Sequence, residues 1–146
     1  MNESILNKDE IRQLIPHAGD MCLIDAVNNF NATEISCQTN THKLIDNPLR
    51  HNDTLAAVNL IEYGAQCMAI HGGLQARERG ESLGQGYLVS VRNVILNIER
   101  IDELENNIHI TASQIMANAG SMMYEFSASH NDSALAQGRV TVMRVV

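Results

Sequence analysis

The stretch LIEYGAQ at residues 60–66 lies inside an apolar segment, and this segment decides the fold. The apolar side chains from about residue 54 to residue 71 leave no clean polar face, and a helix that is apolar nearly all round is normally buried. These 18 residues would form a helix roughly 27 Å long, enough to cross a small domain. We therefore predict one long buried helix that is capped by Asp53 or Thr54 and is ended or bent at Gly72 and Gly73, with a further turn through Arg79 to Gly80.

Glu62 is the charged residue near the middle of this apolar segment. A buried carboxylate is costly unless it is paired or neutral. Two interpretations are open: a structural group that bonds Gln66, one turn further along the same helix face, or a proton donor in a nearly dry pocket. Buried carboxylates that lack a partner are rare outside functional sites, so we favour the second.

The segments on either side of the long helix follow patterns that predict a short helix and six strands. Asn7 and Glu10 form a weak capping pair for a helix over residues 7–15, and Pro16 ends it. Strands are predicted over residues 21–30 and 33–40, and then over 87–98, 108–116, 122–128 and 140–146. This order excludes a parallel α/β fold. It predicts an α+β domain over residues 1–146, with a curved antiparallel sheet wrapped around one central helix.

Composition and charge exclude several classes of protein. The net charge of −7 argues against a nucleic-acid surface, and no apolar run reaches the length of a membrane span. Residues 1–10 are polar and acidic, which is unlike a signal peptide. Cys22, Cys37 and Cys67 sit in apolar contexts without a CxxC pattern, so we expect no zinc site but buried free thiols, as in a cytoplasmic protein.

Two motifs in the chain resemble those of a known family. IPHAGDMCLID at residues 15–25 resembles the PH-x-x-x-(M/F)-L-L-(V/I)-D opening of hotdog-fold 3-hydroxyacyl-[acyl-carrier-protein] dehydratases, and residues 62–66 resemble the E-x-x-A-Q of their central helix. The form LIEYGAQ is most similar to the divergent branch found in aryl-polyene-type biosynthetic clusters. The resemblance implies a hotdog fold and dehydration of carrier-bound 3-hydroxyacyl thioesters in fatty-acid or polyene-type biosynthesis. It also implies a dimer, with a second copy or with a related hotdog subunit, and a reaction without a metal or organic cofactor.

The resemblance assigns Glu62 as the catalytic acid and Gln66 as a substrate-binding residue. Thr54, at the expected helix N-terminus, is a candidate for binding the thioester oxygen, since backbone N–H groups at such an end can stabilise an oxyanion. A neutral histidine suits the base that removes a proton next to the carbonyl.

His17 and His51 are the two candidate bases. The family's usual histidine lies in an H-F-P-G-x-P loop, but the corresponding residues 50–55 are RHNDTL, without the Phe, Pro and Gly. We choose His17 and keep His51 as the alternative. Pro16 and the strand predicted to follow should hold His17 rigidly, and rigid elements place catalytic groups better than loops do.

Two other functions compete with dehydration. A hotdog thioesterase would use the helix carboxylate to activate water, and a non-catalytic acyl-binding subunit would only stabilise an active relative. The small residues at positions Ala56, Ala57, Gly64 and Ala65 fit an acyl chain or close helix-to-sheet packing equally well. Of the remaining histidines, we expect His71 at the helix end, and a surface position for His42, His109 and His130.

Overall fold

The computed structural model describes residues 4–81, 86–118 and 120–144. Helix α1 spans Lys8–Leu14 and is followed by a 3₁₀ turn, Pro16–Met21. The chain then forms β1 (Ala26–Phe30), β2 (Glu34–Thr39) and the long helix α2 (Leu60–Glu78). Four strands complete the fold: β3 (Gly86–Leu96), β4 (Ile108–Asn118), β5 (Ser121–His130) and β6 (Ser133–Arg144).

The strands form one antiparallel sheet in the order β1-β2-β4-β5-β6-β3, and α2 packs against it. At Gly64 the helix approaches the sheet closely, because a Cβ atom there would lie 2.6 Å from Cγ of Phe126. Gly64 therefore serves close packing. The predicted α+β architecture is confirmed, and no helix of the described residues is long and apolar enough to cross a membrane.

The long helix begins later than predicted, and it runs through Gly72 and Gly73 up to the turn predicted at Arg79 and Gly80. Asn52 and Asp53 adopt φ angles of 52° and 62°, and they form a tight turn in which the backbones of His51 and Thr54 pair with each other. The next residues run extended against residues 99–101, with the N–H of Ala57 donating to the carbonyl of Glu99 at 2.9 Å. The predicted cap at Asp53 or Thr54 is thus wrong: a 3₁₀ turn, Ala57–Asn59, leads into α2.

The two glycines predicted to end or bend the helix lie within it instead. At Gly73 a Cβ atom would stand 3.4 Å from atoms of Leu14, so this glycine lies in contact with α1. The helix ends at Glu78, and Gly80 follows with a φ of 71°, the left-handed conformation typical of a helix terminus.

The first predicted strand starts five residues late because side chains take the hydrogen bonds of its backbone. The N–H of Leu23 donates to Oε1 of Gln66 at 2.8 Å. The carbonyl of Leu23 accepts from the hydroxyls of Thr39 and Thr41 at 2.5 and 2.7 Å. Strand β1 therefore begins only at Ala26, one residue after the N–H of Asp25 makes the first backbone bond to β2, at the carbonyl of Gln38.

Strand β3 lies at one edge of the sheet, as predicted for residues 87–98. It is exposed along most of its length and interrupted by two bulges, the second around Asn93 with a φ of 56°. Large apolar side chains remain exposed on it, namely Tyr87, Leu88, Val89, Val94, Ile95 and Leu96. An exposed apolar edge of this kind is usually covered by another chain or element.

Candidate active site

A cleft of about 520 Å³ runs along one face of α2. The helix lines it with residues three or four positions apart, from Glu62 through Ala65, Ala69 and Gly72, which is the spacing of one helical face. The opposite wall comes from the beginning of β3 and from the ends of β4, β5 and β6 that lie near it. A volume of this size is typical of small-molecule sites.

Glu62 lies in the first turn of α2, half-buried, on the wall of this cleft. Within the described part of the chain, its carboxylate has no hydrogen-bond or salt-bridge partner. The structural alternative required a bond to Gln66, whose amide group is instead engaged with the backbone of residues 21–23. The carboxylate of Glu62 is thus left on the cleft wall without the partner that a purely structural role requires.

Gln66 fastens the 3₁₀ turn Pro16–Met21 to the helix. Its Oε1 accepts from the N–H of Leu23 at 2.8 Å, and its Nε2 donates to the carbonyl of Met21. The amide is buried, and both of its ends are used. Gln66 also lines the cleft, so its side chain holds this turn beside the cleft.

The turn held in this way carries His17. The histidine's backbone belongs to the turn, and its side chain lies outside the described part of the structure. Two neighbours in the same turn, Ala18 and Met21, line the cleft together with Glu62. Gly19 gives the turn its kink with a φ of 53° and a ψ of −127°, a conformation that only glycine adopts without strain.

His51 and Thr54 occupy a different place. His51 is exposed, and neither residue belongs to the described lining of the cleft. The hydroxyl and the N–H of Thr54 both donate to the carbonyl of His51, at 2.8 and 3.0 Å. Because α2 begins at Leu60, Thr54 does not present a helix N-terminus, and the role in oxyanion binding predicted for it is corrected.

A buried polar chain lies further along the cleft, and the sequence analysis missed it. His71 is fully buried: Nε2 bonds the carbonyl of Asn31 at 2.8 Å, and Nδ1 bonds the hydroxyl of Tyr124 at 2.5 Å. That hydroxyl also accepts from Nε2 of Gln114 at 3.3 Å, and Gln114 lines the cleft. Burial raises the pKa of Tyr124. The expected position of His71 at the helix end is wrong, because the helix continues for seven more residues to Glu78.

His42 is likewise buried rather than on the surface as expected. Its Nε2 bonds the carbonyl of Leu104 at 2.9 Å, and its Nδ1 is buried without a partner among the described residues. Burial disfavours the charged ring and lowers the pKa of His42. It lies in the loop that leads to His51 and away from the described lining of the cleft.

Comparison with known proteins identifies the family. The family model described as ApeP-like, ApeP dehydratase, matches residues 9–145. The chain belongs to the ApeP-like dehydratase family. The resemblance noted in the sequence, to hotdog dehydratases of the aryl-polyene branch, is thereby confirmed. No match was found among curated proteins.

Solved structures confirm the hotdog fold. The dehydratase heterocomplex ApeI:P from Xenorhabdus doucetiae superposes with a TM-score of 0.84 at 20% identity, covering 93% of this chain and 91% of the other. A putative thioesterase from Shewanella oneidensis gives 0.62 at 13% identity, covering 95% and 97%. A thioesterase from Haemophilus influenzae gives 0.64 at 9% identity, covering 99% and 93%. Dehydratases and thioesterases thus share this fold, and the reaction has to be argued from the site.

Proposed function

We propose that this chain dehydrates 3-hydroxyacyl thioesters carried on acyl carrier protein, giving trans-2-enoyl thioesters in fatty-acid or polyene-type biosynthesis. The observation that carries the proposal is the composition of one cleft wall. Glu62 lies there beside Ala18 and Met21, which belong to the turn that bears His17. A carboxyl group and a histidine-bearing turn thus border the same cleft, as an acid and a base acting on one substrate require.

The proposed reaction is a general acid–base elimination. Neutral His17 takes the proton from C2, and the electrons of that C–H bond form the C2=C3 double bond. The C3–O bond breaks, and the protonated carboxyl of Glu62 donates its proton to the departing hydroxyl, which leaves as water. Transfer of the proton from His17 to Glu62 then restores the starting state.

In this mechanism Gln66 acts as a positioning residue. Because its amide holds the backbone at Met21 and Leu23, it fixes the turn that carries His17 relative to Glu62, one helical turn away. Small displacements of catalytic groups are expensive in rate. The binding role first assigned to Gln66 is therefore refined in the proposal, since both ends of the amide already bond the backbone.

We also propose that the active form is a dimer, formed with a second copy or with a related hotdog subunit. The edge strand β3 is exposed and apolar, and its first residues, Gly86, Tyr87 and Leu88, line the cleft. A partner covering this edge would complete the cleft wall. Light scattering should find no stable monomer at micromolar concentration; a monomeric chain that also fails to pair with a related hotdog subunit would refute the dimer.

The buried free cysteines Cys22, Cys37 and Cys67 fit a reducing compartment, and on that basis we place the reaction in the cytoplasm.

One assay separates dehydration from the competing functions. The purified protein, alone and with any hotdog subunit that copurifies, is incubated with 3-hydroxyacyl carrier protein and followed by mass spectrometry. Loss of one water from the carrier-bound acyl group is the expected result. Release of free carrier thiol would indicate a thioesterase, and an unchanged substrate would indicate a non-catalytic acyl-binding subunit; either would overturn the proposal.

Glu62→Gln is the matched variant for this assay. Glutamine is nearly isosteric but donates no acidic proton, so we expect turnover to be lost while the melting temperature stays level or rises. Dehydration at the parental rate by this variant would overturn the role of Glu62.

A further inference from the structure

The hydrogen-bond chain behind the cleft has a defined direction. A backbone carbonyl can only accept, so Nε2 of His71 carries a proton and donates to Asn31, which makes Nδ1 the acceptor of the ring. The hydroxyl proton of Tyr124 is therefore given to Nδ1 of His71. The oxygen of Tyr124 is left to accept, and it accepts from Nε2 of Gln114.

This direction fixes how Gln114 presents its amide. A rotated amide would turn its carbonyl oxygen toward the oxygen of Tyr124, whose proton is already committed to His71, so two acceptors would face each other. Oε1 of Gln114 therefore lies on the other side of the amide group. No donor among the described residues reaches it. The backbone of Gln114 is also tied down, because its N–H donates to the carbonyl of Thr33 at 2.7 Å.

Gln114 thus supplies an oriented acceptor to a cleft whose lining mixes apolar side chains with polar ones such as Gln75, whose Nε2 is bound to the carbonyl of Ala32. Met68, Ala69, Gly72 and Met122 line the cleft with it, and these side chains offer an acyl chain no hydrogen bonds. His71, which fixes the far end of the hydrogen-bond chain, lies nine residues beyond Glu62 on α2, roughly 14 Å along the axis at 1.5 Å per residue.

We infer that Gln114 is a specificity residue, and that the cleft favours acyl chains that carry a hydroxyl group far from the thioester, donated to Oε1 of Gln114. Tyr124 and His71 act as positioning residues that hold this acceptor in place. The inference rests on the proposed function in one respect, namely that the cleft holds the acyl group of the substrate. It adds which acyl group is preferred.

The test measures binding rather than turnover. Acyl-pantetheine amides, which cannot be hydrolysed as thioesters, are prepared over a series of chain lengths, each with and without a terminal hydroxyl, and their Kd values are measured by calorimetry. At the best-fitting length we expect the hydroxylated ligand to bind about five-fold more tightly, the usual effect of one neutral hydrogen bond.

Gln114→Leu should abolish this preference, and Tyr124→Phe should reduce it by releasing the amide of Gln114. Gln137→Leu is the matched control, since Gln137 is exposed on β6 and outside the described lining of the cleft; it should keep the preference. Circular dichroism confirms that each variant is folded. If Tyr124→Phe does not fold, the comparison of Gln114→Leu with Gln137→Leu decides alone.

The outcomes separate this inference from the proposed function. Equal affinity for the two ligands at every length, or a preference that persists in Gln114→Leu, overturns the role of Gln114 while leaving dehydration intact. A hydroxyl preference in a protein that dehydrates nothing supports Gln114 and overturns the dehydratase. Failure to bind either ligand overturns both.

Discussion

Two segments of this chain carry a candidate histidine, and they differ in where their hydrogen bonds go. The turn Pro16–Met21 is held from outside, by the Gln66 amide on α2, and borders the cleft. The loop over residues 41–54 is held partly from within and partly by Leu23, Tyr63 and Leu104, none of which belongs to the described lining of the cleft. Arg50 alone binds three of its backbone carbonyls, those of His42, Leu44 and Asp53.

This difference separates a segment that borders the cleft from one that does not. The hydroxyl of Tyr63 on α2 also serves the second loop, bonding Thr41 at 2.9 Å and Asn47 at 3.1 Å, and burial raises its pKa. These contacts stabilise the loop but give His51 no position on the cleft. The position of a histidine relative to a family motif is thus a weaker guide than what holds its backbone.

The strongest test of the difference between the two segments is to replace each histidine separately. We expect His17→Ala to lower kcat by 100-fold or more, the usual range for loss of a general base, and His51→Ala to change it by less than about two-fold. Both variants are assayed on the same 3-hydroxyacyl thioester. If His51→Ala alone is inactive, the base lies in the loop over residues 41–54 and our assignment is reversed.

The next largest effect should come from Gln66, the residue that holds the turn Pro16–Met21 against α2. Gln66→Met removes two hydrogen bonds, and we expect kcat to fall about ten-fold with little change in KM, along with a loss of roughly 1–3 kcal/mol in the free energy of unfolding.

Gln75→Met is the control for this variant, because Gln75 also lines the cleft but donates to the carbonyl of Ala32 at 2.7 Å, away from the turn. Its kcat should change by less than about two-fold. Equal losses of kcat in the two variants would show that Gln66 does not act through the turn.

A smaller effect concerns the loop over residues 41–54, where His42 makes the free energy of unfolding depend on pH. Burial lowers the pKa of His42 from 6.5. Below that pH the imidazole therefore binds a proton more readily in the unfolded chain than in the folded chain. Stability from this group is therefore complete above about pH 6.5 and falls as the pH drops below it. The bond to the Leu104 carbonyl and the charge of Asp25 oppose this lowering of the pKa, and the nearby side chains of Lys43 and His130 add to it.

His42→Gln keeps a donor for the carbonyl of Leu104 but does not titrate, so its free energy of unfolding should depend less on pH, by about 1 kcal/mol between pH 7 and pH 5. Denaturant unfolding at both pH values measures this. The same change in the free energy of unfolding between pH 7 and pH 5 for parent and variant would contradict the account of His42.

The smallest effect is expected at the turn beside His51. Asp53 has a φ of 62°, which glycine adopts more readily. Asp53→Gly should change the free energy of unfolding by no more than about 0.5 kcal/mol, because relief of strain is offset by added chain entropy, and should leave kcat unchanged. A clear fall in kcat would place this turn in the active site after all.

The sequence predicted the parts of the fold that depend on local periodicity and on large buried faces. The capping box of Asn7 and Glu10 is present as expected, and the apolar character around Glu62 correctly indicated a central helix. It did not locate the ends of that helix, because these depend on distant contacts. Residues 55–57 pair with residues 99–101 instead of starting the helix, and Gly73 lies against Leu14 instead of ending it.

The site was predictable only where it depends on helical spacing and not on distant contacts. Glu62 and Gln66 share a helix face by spacing alone, and both line the cleft. His71 lies seven residues beyond Gly64, about two helical turns, and therefore faces the sheet with it. The sequence analysis expected the helix to end at His71, so this shared face was not recognised. Tyr124 and Gln114 come from two strands whose register only the sheet establishes.

The central claim is that substrate meets the turn Pro16–Met21 and the face of α2 that carries Glu62, and not the loop that carries His51. Backbone amide chemical shifts test it directly, when a 3-hydroxyacyl-pantetheine amide is titrated into the protein in the oligomeric form in which it is purified. We predict large shifts for Ala18, Ala65 and Ala69 and none beyond noise for Asn52 and Asp53. Large shifts confined to Asn52 and Asp53 would contradict the claim.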